Sequence, residues 1–125
     1  MSIKVVQQAN KTMSDGKTMC TLEWDSSYSS KMSEKFNKAQ TYIDNEVLRF
    51  CSARVPFRTG NLQKSGIYAT VIGSGEVRYN AIYAAHQYYY TQDTRSYDAI
   101  RGAHWFERGK ASEKSRILIG ARQFF

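Results

Sequence analysis

The segment from Lys31 to Arg54 carries an apolar side chain at every third or fourth position, which is the period of an α-helix with one apolar face. These apolar positions are Met32, Phe36, Ala39, Ile43, Val47, Phe50 and Cys51. Pro56 ends the pattern, because a proline ring disfavours helical backbone angles at the residue before it and supplies no amide hydrogen. We therefore predict a helix over residues 30–55, about 35 Å long, that buries one broad face.

The residues after Pro56 predict a tight turn followed by a β-hairpin. The turn residues are Arg58, Thr59, Gly60, Asn61 and Leu62. Gly60 can adopt a positive φ there because it has no side chain. Two short apolar runs then flank Gly73-Ser74-Gly75, and this arrangement predicts a hairpin over residues 67–79. The long helix packed on this small antiparallel sheet, with a short helix and a C-terminal helix, predicts an α+β fold.

The other segments predict shorter elements of the same single domain. In chain order, the predicted elements are N-terminal strands (Ile3–Val6 and Thr18–Trp24) or an arm over 1–29, the long helix over 30–55, the hairpin over 67–79, a short helix over 80–90, a loop over 91–103 and a C-terminal helix over 104–125. Asp15-Gly16 predicts the turn between the first two strands, and Asn80 predicts the cap of the short helix. Residues 1–29 would equally suit an arm that becomes ordered only in an assembly. Gly109 and Gly120 should weaken the C-terminal helix by about 1 kcal/mol each relative to alanine.

The chain offers no pattern typical of a catalytic, metal or cofactor site. Cys20 and Cys51 have no CxxC spacing and no histidine nearby, so we expect both to be reduced residues of the core. His86 lies among tyrosines without an evident carboxylate or cysteine partner, and His104 is distant in sequence. A small nuclease or toxin that uses these histidines as acid or base is therefore the weakest alternative. We predict a protein that is not an enzyme and holds no metal or cofactor.

The formal net charge of +7 is concentrated in two regions. Residues 31–66 and residues 95–125 each carry seven basic and three acidic side chains, whereas residues 1–30 carry three of each. Basic surfaces of this kind suit contact with nucleic acid or an acidic protein, or are solvated helix faces. The sequence has no apolar run near the roughly 20 residues that a membrane span needs, and residues 1–11 lack the apolar centre of a secretory signal. We expect a protein that begins in a cytoplasm and has no membrane partner.

Three motifs follow the long helix in order. The first is Pro56 with Arg58-Thr59-Gly60-Asn61-Leu62 and Ser65, the second is Tyr79-Asn80 with Tyr83-Ala84-Ala85 and Gln87-Tyr88-Tyr89, and the third is Trp105-Phe106-Glu107-Arg108 with Lys110-Ala111. In this order and spacing, across about residues 30–111, they resemble the small minor capsid or neck proteins of long-tailed bacteriophages, in the tail-completion and head-tail joining group.

This resemblance implies a structural virion protein, without catalysis, that forms or decorates the ring joining the DNA-filled head to the tail. Its implied partners are copies of itself in a homo-oligomeric ring, other neck, portal-side or tail-tube proteins and, through non-specific contact, packaged DNA. Its implied location is the virion, and the host cytoplasm during assembly. The matched positions are implied to be scaffold residues: Pro56, Arg58, Thr59, Gly60, Leu62, Tyr83, Gln87, Trp105 and Phe106.

The nine tyrosines of the chain favour a role in subunit contacts, because tyrosine, tryptophan and arginine are enriched at interfaces. The predicted contact residues are Tyr88, Tyr89, Tyr90, Arg95, Tyr97 and Arg101. Three consecutive tyrosines cannot all face inward on one helix, although most of the tyrosines could instead pack in the core. The alternative function is a basic DNA- or protein-binding accessory module, in which the long helix would track phosphates and residues 88–90 would stack on bases.

Overall fold

The computed structural model describes residues 4–125, and within them the chain forms four α-helices, one two-stranded antiparallel sheet and a short 3-10 helix. The strands are β1 (Lys11–Ser14) and β2 (Met19–Leu22). The helices are α1 (Tyr28–Ser52), α2 (Asn61–Ala69), α3 (Ala84–Tyr89) and α4 (Trp105–Ala121), and the 3-10 helix (Arg122–Phe124) follows α4. The predicted α+β class is confirmed.

The long amphipathic helix predicted over residues 30–55 is confirmed as α1, which begins at Tyr28 and ends at Ser52. The chain leaves α1 through a turn in which the backbone N–H groups of Arg54 and Val55 both donate to the carbonyl of Cys51, at 2.9 Å each. Val55 is fully buried. The proline that follows has no amide hydrogen to extend the helix, so the chain turns away there.

The apolar face of α1 packs on α4 and not on a sheet. A Cβ atom built at Gly109 of α4 would lie 2.2 Å from Phe50 Cδ1, so the helix backbone and the ring are in close contact. Gly120 meets Tyr42 in the same way, with 2.0 Å from such a Cβ to the tyrosine hydroxyl oxygen. The two glycines that should weaken the C-terminal helix therefore also admit two aromatic rings of α1 against it.

The hairpin predicted over residues 67–79 is wrong. α2 continues to Ala69, so the first apolar run is largely helical, and no strand follows it. The glycine-rich segment binds α1 instead. The carboxylate of Asp44, a buried residue of α1, accepts hydrogen bonds from the backbone N–H groups of Gly73 (2.8 Å) and Gly75 (3.0 Å). These bonds give the backbone donors a partner that a second strand would otherwise supply.

The buried core lies where α1, α2, α3 and α4 meet. Its residues are Phe50, Cys51, Val55, Leu62, Ala84, Trp105 and Ile117. Cys51 is 1% exposed, as predicted, and burial raises the pKa of its thiol to about 12. Cys20 is exposed, so the prediction that it is a core residue is wrong. β2 carries Cys20 on a sheet in which every strand residue is exposed.

β1 and β2 form an N-terminal hairpin outside the core. The turn predicted at Asp15-Gly16 is confirmed, because Gly16 adopts a φ of 88° and the Asp15 carboxylate accepts the backbone N–H groups of Lys17 (2.9 Å) and Thr18 (2.6 Å). The second predicted strand is confirmed as β2. Of the first predicted strand, residues 4–6 are not in a strand, and Ile3 lies outside the described residues.

The remaining predicted elements hold with changed bounds. The short helix is confirmed as α3, but it starts at Ala84, so Asn80 does not cap it. Residues 91–103 form a loop with one isolated bridge between Arg95 and Asp98, and the C-terminal helix is confirmed as α4. Among residues 4–125, no helix combines the length and the apolar composition needed to cross a bilayer.

Replacing Gly109 with alanine should lower the free energy of unfolding by about 1 to 3 kcal/mol, because the added methyl group overlaps the buried Phe50 ring. Urea denaturation measures this change. Ser115→Ala, at an exposed position of the same helix, is the matched control and should change the free energy by less than about 0.5 kcal/mol. A Gly109→Ala protein as stable as the wild type would contradict the close packing of α4 on α1.

An ion-pair network joins α1 to α4. The Glu46 carboxylate lies 2.9 Å from Arg116 Nη2 on α4 and 2.7 Å from Arg49 Nη2 on α1. Hydrogen bonds from Arg116 and then from Arg49 lower the pKa of Glu46 below its ordinary value. A carboxyl group with a pKa lowered by folding stabilises the fold above its unfolded pKa, and this contribution is lost as the pH falls through the folded pKa.

Glu46→Gln should therefore lower the free energy of unfolding by about 1 kcal/mol at neutral pH. The difference from the wild type should shrink as the pH falls below 4.5, the ordinary glutamate value, because the unfolded wild type then takes up a proton, and it should be lost as the pH falls through the lowered pKa of the folded protein. Urea unfolding at a series of pH values tests this. Glu34→Gln is the control, since the Glu34–Lys38 pair is exposed on both sides and should contribute little at any pH. Equal behaviour of the two variants would refute the bridging role of Glu46.

A candidate subunit-binding cleft

The structure has a cleft with a volume of about 810 Å³, which we name the turn cleft. It lies where the turn after α1 meets α3 and the loop before α4. It is lined by Pro56, Phe57, Arg58, Thr59, Gly60, Asn61, Leu62, Tyr83, Gln87, Arg95 and Tyr97. Seven of these eleven residues are predicted scaffold positions, and Arg95 and Tyr97 are predicted subunit contacts. The structure thus brings together residues that are up to 41 positions apart in the chain, from Pro56 to Tyr97.

One side of the turn cleft is the turn that precedes α2. Gly60 adopts a φ of 82°, as predicted, and a Cβ atom there would lie 3.1 Å from the Phe57 ring. Both facts favour glycine at this position. The Gly60 carbonyl accepts the backbone N–H of Lys64 (2.9 Å), and Thr59 Oγ1 accepts the backbone N–H of Asn61 (3.4 Å). These bonds start α2 directly from the turn.

The opposite side is the loop between α3 and α4, which Arg95 holds in place. Arg95 Nη2 donates to Gln87 Oε1 and to Thr91 Oγ1, both at 3.0 Å. The backbone N–H and carbonyl of Arg95 also pair with those of Asp98, at 3.0 and 3.2 Å. These bonds close a tight turn that presents Tyr97, which is 60% exposed, at the edge of the cleft.

Arg101 lies behind the turn cleft and stabilises it. Its Nη1 donates to the carbonyls of Ser52 (3.1 Å) and Val55 (2.8 Å). Its guanidinium lies over the Phe57 ring, 5.3 Å from the ring centroid. The side chain predicted as a subunit contact is therefore engaged with the backbone and an aromatic ring of its own chain.

Unlike Arg101, Arg58 is exposed, and its side chain bonds no residue in the described part of the chain. The cleft lining contains Arg58 and Arg95 and no histidine, cysteine, aspartate or glutamate. Phe57 and Tyr83 add partly exposed rings. The lining thus supplies positive charge and aromatic surface. Such a surface suits contact with a protein segment that offers a carboxylate.

The three consecutive tyrosines divide between core and surface. Tyr88 packs edge-on against the buried Trp105, with ring centroids 4.7 Å apart, and burial raises the pKa of its phenol. Tyr89 and Tyr90 are exposed by 62% and 78%. Of the two scaffold residues at the start of α4, Trp105 is buried, whereas Phe106 stacks on Phe50 and stays partly exposed. Tyr89, Tyr90 and Tyr97 are thus the predicted contact residues that are largely exposed at the surface.

The histidines lie outside the turn cleft. His104 adopts a φ of 51° before α4, and its Nδ1 lies 2.8 Å from Asp93 Oδ1 in an exposed pair. The His86 ring lies beside Tyr90. Within residues 4–125, no group of histidine, cysteine, aspartate and glutamate side chains is arranged to hold a metal ion.

Three residues with clear roles were missed by the sequence analysis. Phe57 lines the cleft beneath Arg101, Asp93 pairs with His104, and Asp44 binds the glycine-rich segment. The role of Phe57 could have been predicted from the sequence, because a large aromatic ring in a polar turn needs a packing partner. The roles of the two aspartates leave no local sequence pattern, since their partners lie 11 and 29 residues away along the chain.

Comparisons with protein-family models, curated proteins and solved structures find no match to the chain.

Arg101→Ala should lower the free energy of unfolding by about 1 to 3 kcal/mol, because it leaves two backbone carbonyls without their charged donor. Arg58→Ala is the matched control, because it also removes an arginine side chain, but one that is exposed and lies in the turn that Arg101 bonds. It should change the free energy of unfolding by less than about 0.5 kcal/mol. Thermal and urea denaturation of the two variants measure the difference. Equal losses of stability would contradict the separate roles of the two arginines.

Proposed function

We propose that the chain is a structural virion protein of a tailed bacteriophage, a subunit of the neck ring that joins the DNA-filled head to the tail. The observation that carries this proposal is the turn cleft, in which seven of the nine scaffold positions implied by the neck-protein resemblance meet on one surface. The proposal assigns assembly and no catalysis to the chain. Its partners are copies of itself and adjoining neck, portal-side or tail-tube proteins, first in the host cytoplasm and then in the virion.

The exposed area of the chain supports a role in assembly. A compact monomer of 14.4 kDa is expected to expose about 6,800 Å². This chain exposes 8944 Å². The excess, about 2,100 Å², exceeds the roughly 1,600 Å² that one subunit contributes to two interfaces of ordinary size. A ring subunit has two such interfaces, one with each neighbour.

The chemistry of the exposed surface points the same way. Tyr89, Tyr90 and Tyr97 expose between 60% and 78% of their surface, and Ile82, just before the cleft residue Tyr83, is fully exposed. Tyrosine is one of the residue types that supply most of the binding energy at protein interfaces. We assign the tyrosines and the turn cleft to a contact between neighbouring subunits.

The arginines weigh against a module devoted to binding DNA. Seven of the nine arginines bond groups of the chain itself: Arg49, Arg54, Arg78, Arg95, Arg101, Arg108 and Arg116. Guanidinium groups that bond backbone carbonyls or carboxylates have fewer donors left for phosphates. Non-specific contact with DNA passing through the ring remains part of the proposal, carried by the excess of positive charge.

Deletion of the gene from its phage, followed by electron microscopy of the lysate, tests the biological role. Filled heads and finished tails that lie unjoined are the expected result. Complete particles of normal infectivity would overturn the neck assignment.

Arg58→Ala tests the cleft as a subunit contact. It should leave the monomer folded and weaken self-association about tenfold or more, because it removes the unpaired guanidinium from the cleft. Sedimentation velocity over a concentration series measures the association. Arg122→Ala is the matched control, since Arg122 is another exposed arginine and lies outside the cleft. Equal association of the two variants would remove the cleft from the interface.

A further inference from the structure

The N-terminal hairpin has one apolar face and one polar face. β1 and β2 pair with Lys11 opposite Leu22, Thr12 opposite Thr21, Met13 opposite Cys20 and Ser14 opposite Met19. Directly opposed residues share a face and successive residues alternate between faces. One face therefore carries Met13, Cys20 and Leu22, beside the aliphatic stem of Lys11. The other face carries mainly hydroxyl groups.

The apolar face of this hairpin is uncovered in the single chain. Met13 is 73% exposed, Leu22 is 54% exposed, and Cys20 is also exposed. A two-stranded hairpin is at best marginally stable in water by itself. Three apolar side chains on one side of it give a continuous surface whose burial would stabilise the hairpin.

The base of the hairpin is attached to α1, whereas its strands project from the helices. The backbone N–H of Val5 donates to Ser33 Oγ (2.8 Å), and the backbone N–H of Ser29 donates to Gln7 Oε1 (3.1 Å). Across the base, the backbone N–H of Trp24 donates to Asn10 Oδ1 (3.0 Å). The hairpin is thus held at one end, in a position to reach a neighbouring molecule.

Charge favours a second copy of this chain as that neighbour. Residues 1–30 carry three basic and three acidic groups and are neutral, so the whole excess of +7 lies in residues 31–125. The hairpin itself, residues 11–22, carries Lys11, Asp15 and Lys17, a net charge of only +1, so it can lie on a basic subunit with little of the repulsion that two strongly basic surfaces would meet. Nucleic acid would instead favour a face with several basic side chains, whereas Lys11 is the one charged strand residue on this face.

We propose that the face formed by Met13, Cys20 and Leu22 packs on the adjacent copy of the chain in the ring, so that each subunit is linked to the next by its N-terminal hairpin. This inference rests on the proposed self-assembly and adds the surface that makes the contact. The roughly 2,100 Å² of excess exposed surface leaves room for this contact beside one made by the turn cleft. A hairpin that packs on a different surface of the next copy makes a heterologous contact, the type that closes rings.

The hairpin offers a matched pair of substitutions, because Met13 and Met19 are the same residue type at 73% and 68% exposure on opposite faces. Met13→Asp should weaken self-association about tenfold or more, whereas Met19→Asp should leave it within about twofold of the wild type. Sedimentation velocity gives both values. Circular dichroism should show the same helix content in both variants, since neither residue touches the helical core.

The reactivity of the Cys20 thiol measures whether the face formed by Met13, Cys20 and Leu22 is covered. Cys51 is 1% exposed, so a thiol reagent applied to the folded protein modifies Cys20 selectively. In the assembled wild type, modification of Cys20 should be about tenfold or more slower than in the dilute monomer. Cys20→Ser should remove the signal.

The outcomes separate this inference from the proposed function. The hairpin contact would be overturned if both aspartate variants assemble as the wild type does, or if Cys20 is equally reactive in the assembly and the monomer. Neither result would contradict the proposed ring. A wild-type chain that stays monomeric at all concentrations would overturn both the ring and the hairpin contact. Protection of Cys20 that requires added duplex DNA would assign the face to nucleic acid and also overturn the inference.

Discussion

The carbonyl group of Ser52, the last residue of α1, and those of Arg54 and Val55 in the turn after it have no partner within the helix, and the rest of the structure depends on how the chain bonds them. Arg101 donates to the carbonyls of Ser52 and Val55, and the backbone N–H of Gly102 donates to the carbonyl of Arg54 at 2.9 Å. A guanidinium also interacts favourably with the negative end of the helix dipole. Because these donors all come from the segment just before α4, they tie it to the turn after α1. The turn cleft is the surface that this connection creates.

The sequence was enough to predict the helices and turns that depend on residues close together in the chain. The apolar period and the proline predicted α1, the composition of the last segment predicted α4, and glycines predicted the turns at Gly16 and Gly60. The hairpin over residues 67–79 was wrong because two apolar runs around glycines look alike whether they pair with each other or bind elsewhere. Here the glycine N–H groups bond Asp44, and a contact across 29 residues leaves no local pattern. The prediction that the α1 face packs on this sheet was wrong for the same reason, because its partner α4 lies far along the chain.

The candidate site was predictable in its membership and not in its roles. Most of the scaffold residues do lie together, but Arg58 and Arg101 have exchanged the roles expected of them. The order of residues in a motif shows that they occur near one turn, whereas the direction of a side chain depends on carbonyls 46 and 49 residues away. A single arginine in a sequence can equally be a backbone donor or a free cation. Only the geometry of the turn distinguishes the two.

The N-terminal hairpin and the turn cleft together suggest how a basic subunit could associate with copies of itself. Contacts between like-charged surfaces are unfavourable, so stable association needs apolar or neutral surface at the points of contact. The hairpin supplies such a surface, and the cleft arginine Arg58 can pair with a carboxylate of a neighbour. An exposed apolar hairpin is also an aggregation hazard, which strands of only four residues and a hydroxyl-bearing second face reduce. These features favour a contact that forms with one defined partner surface over non-specific pairing of strand edges.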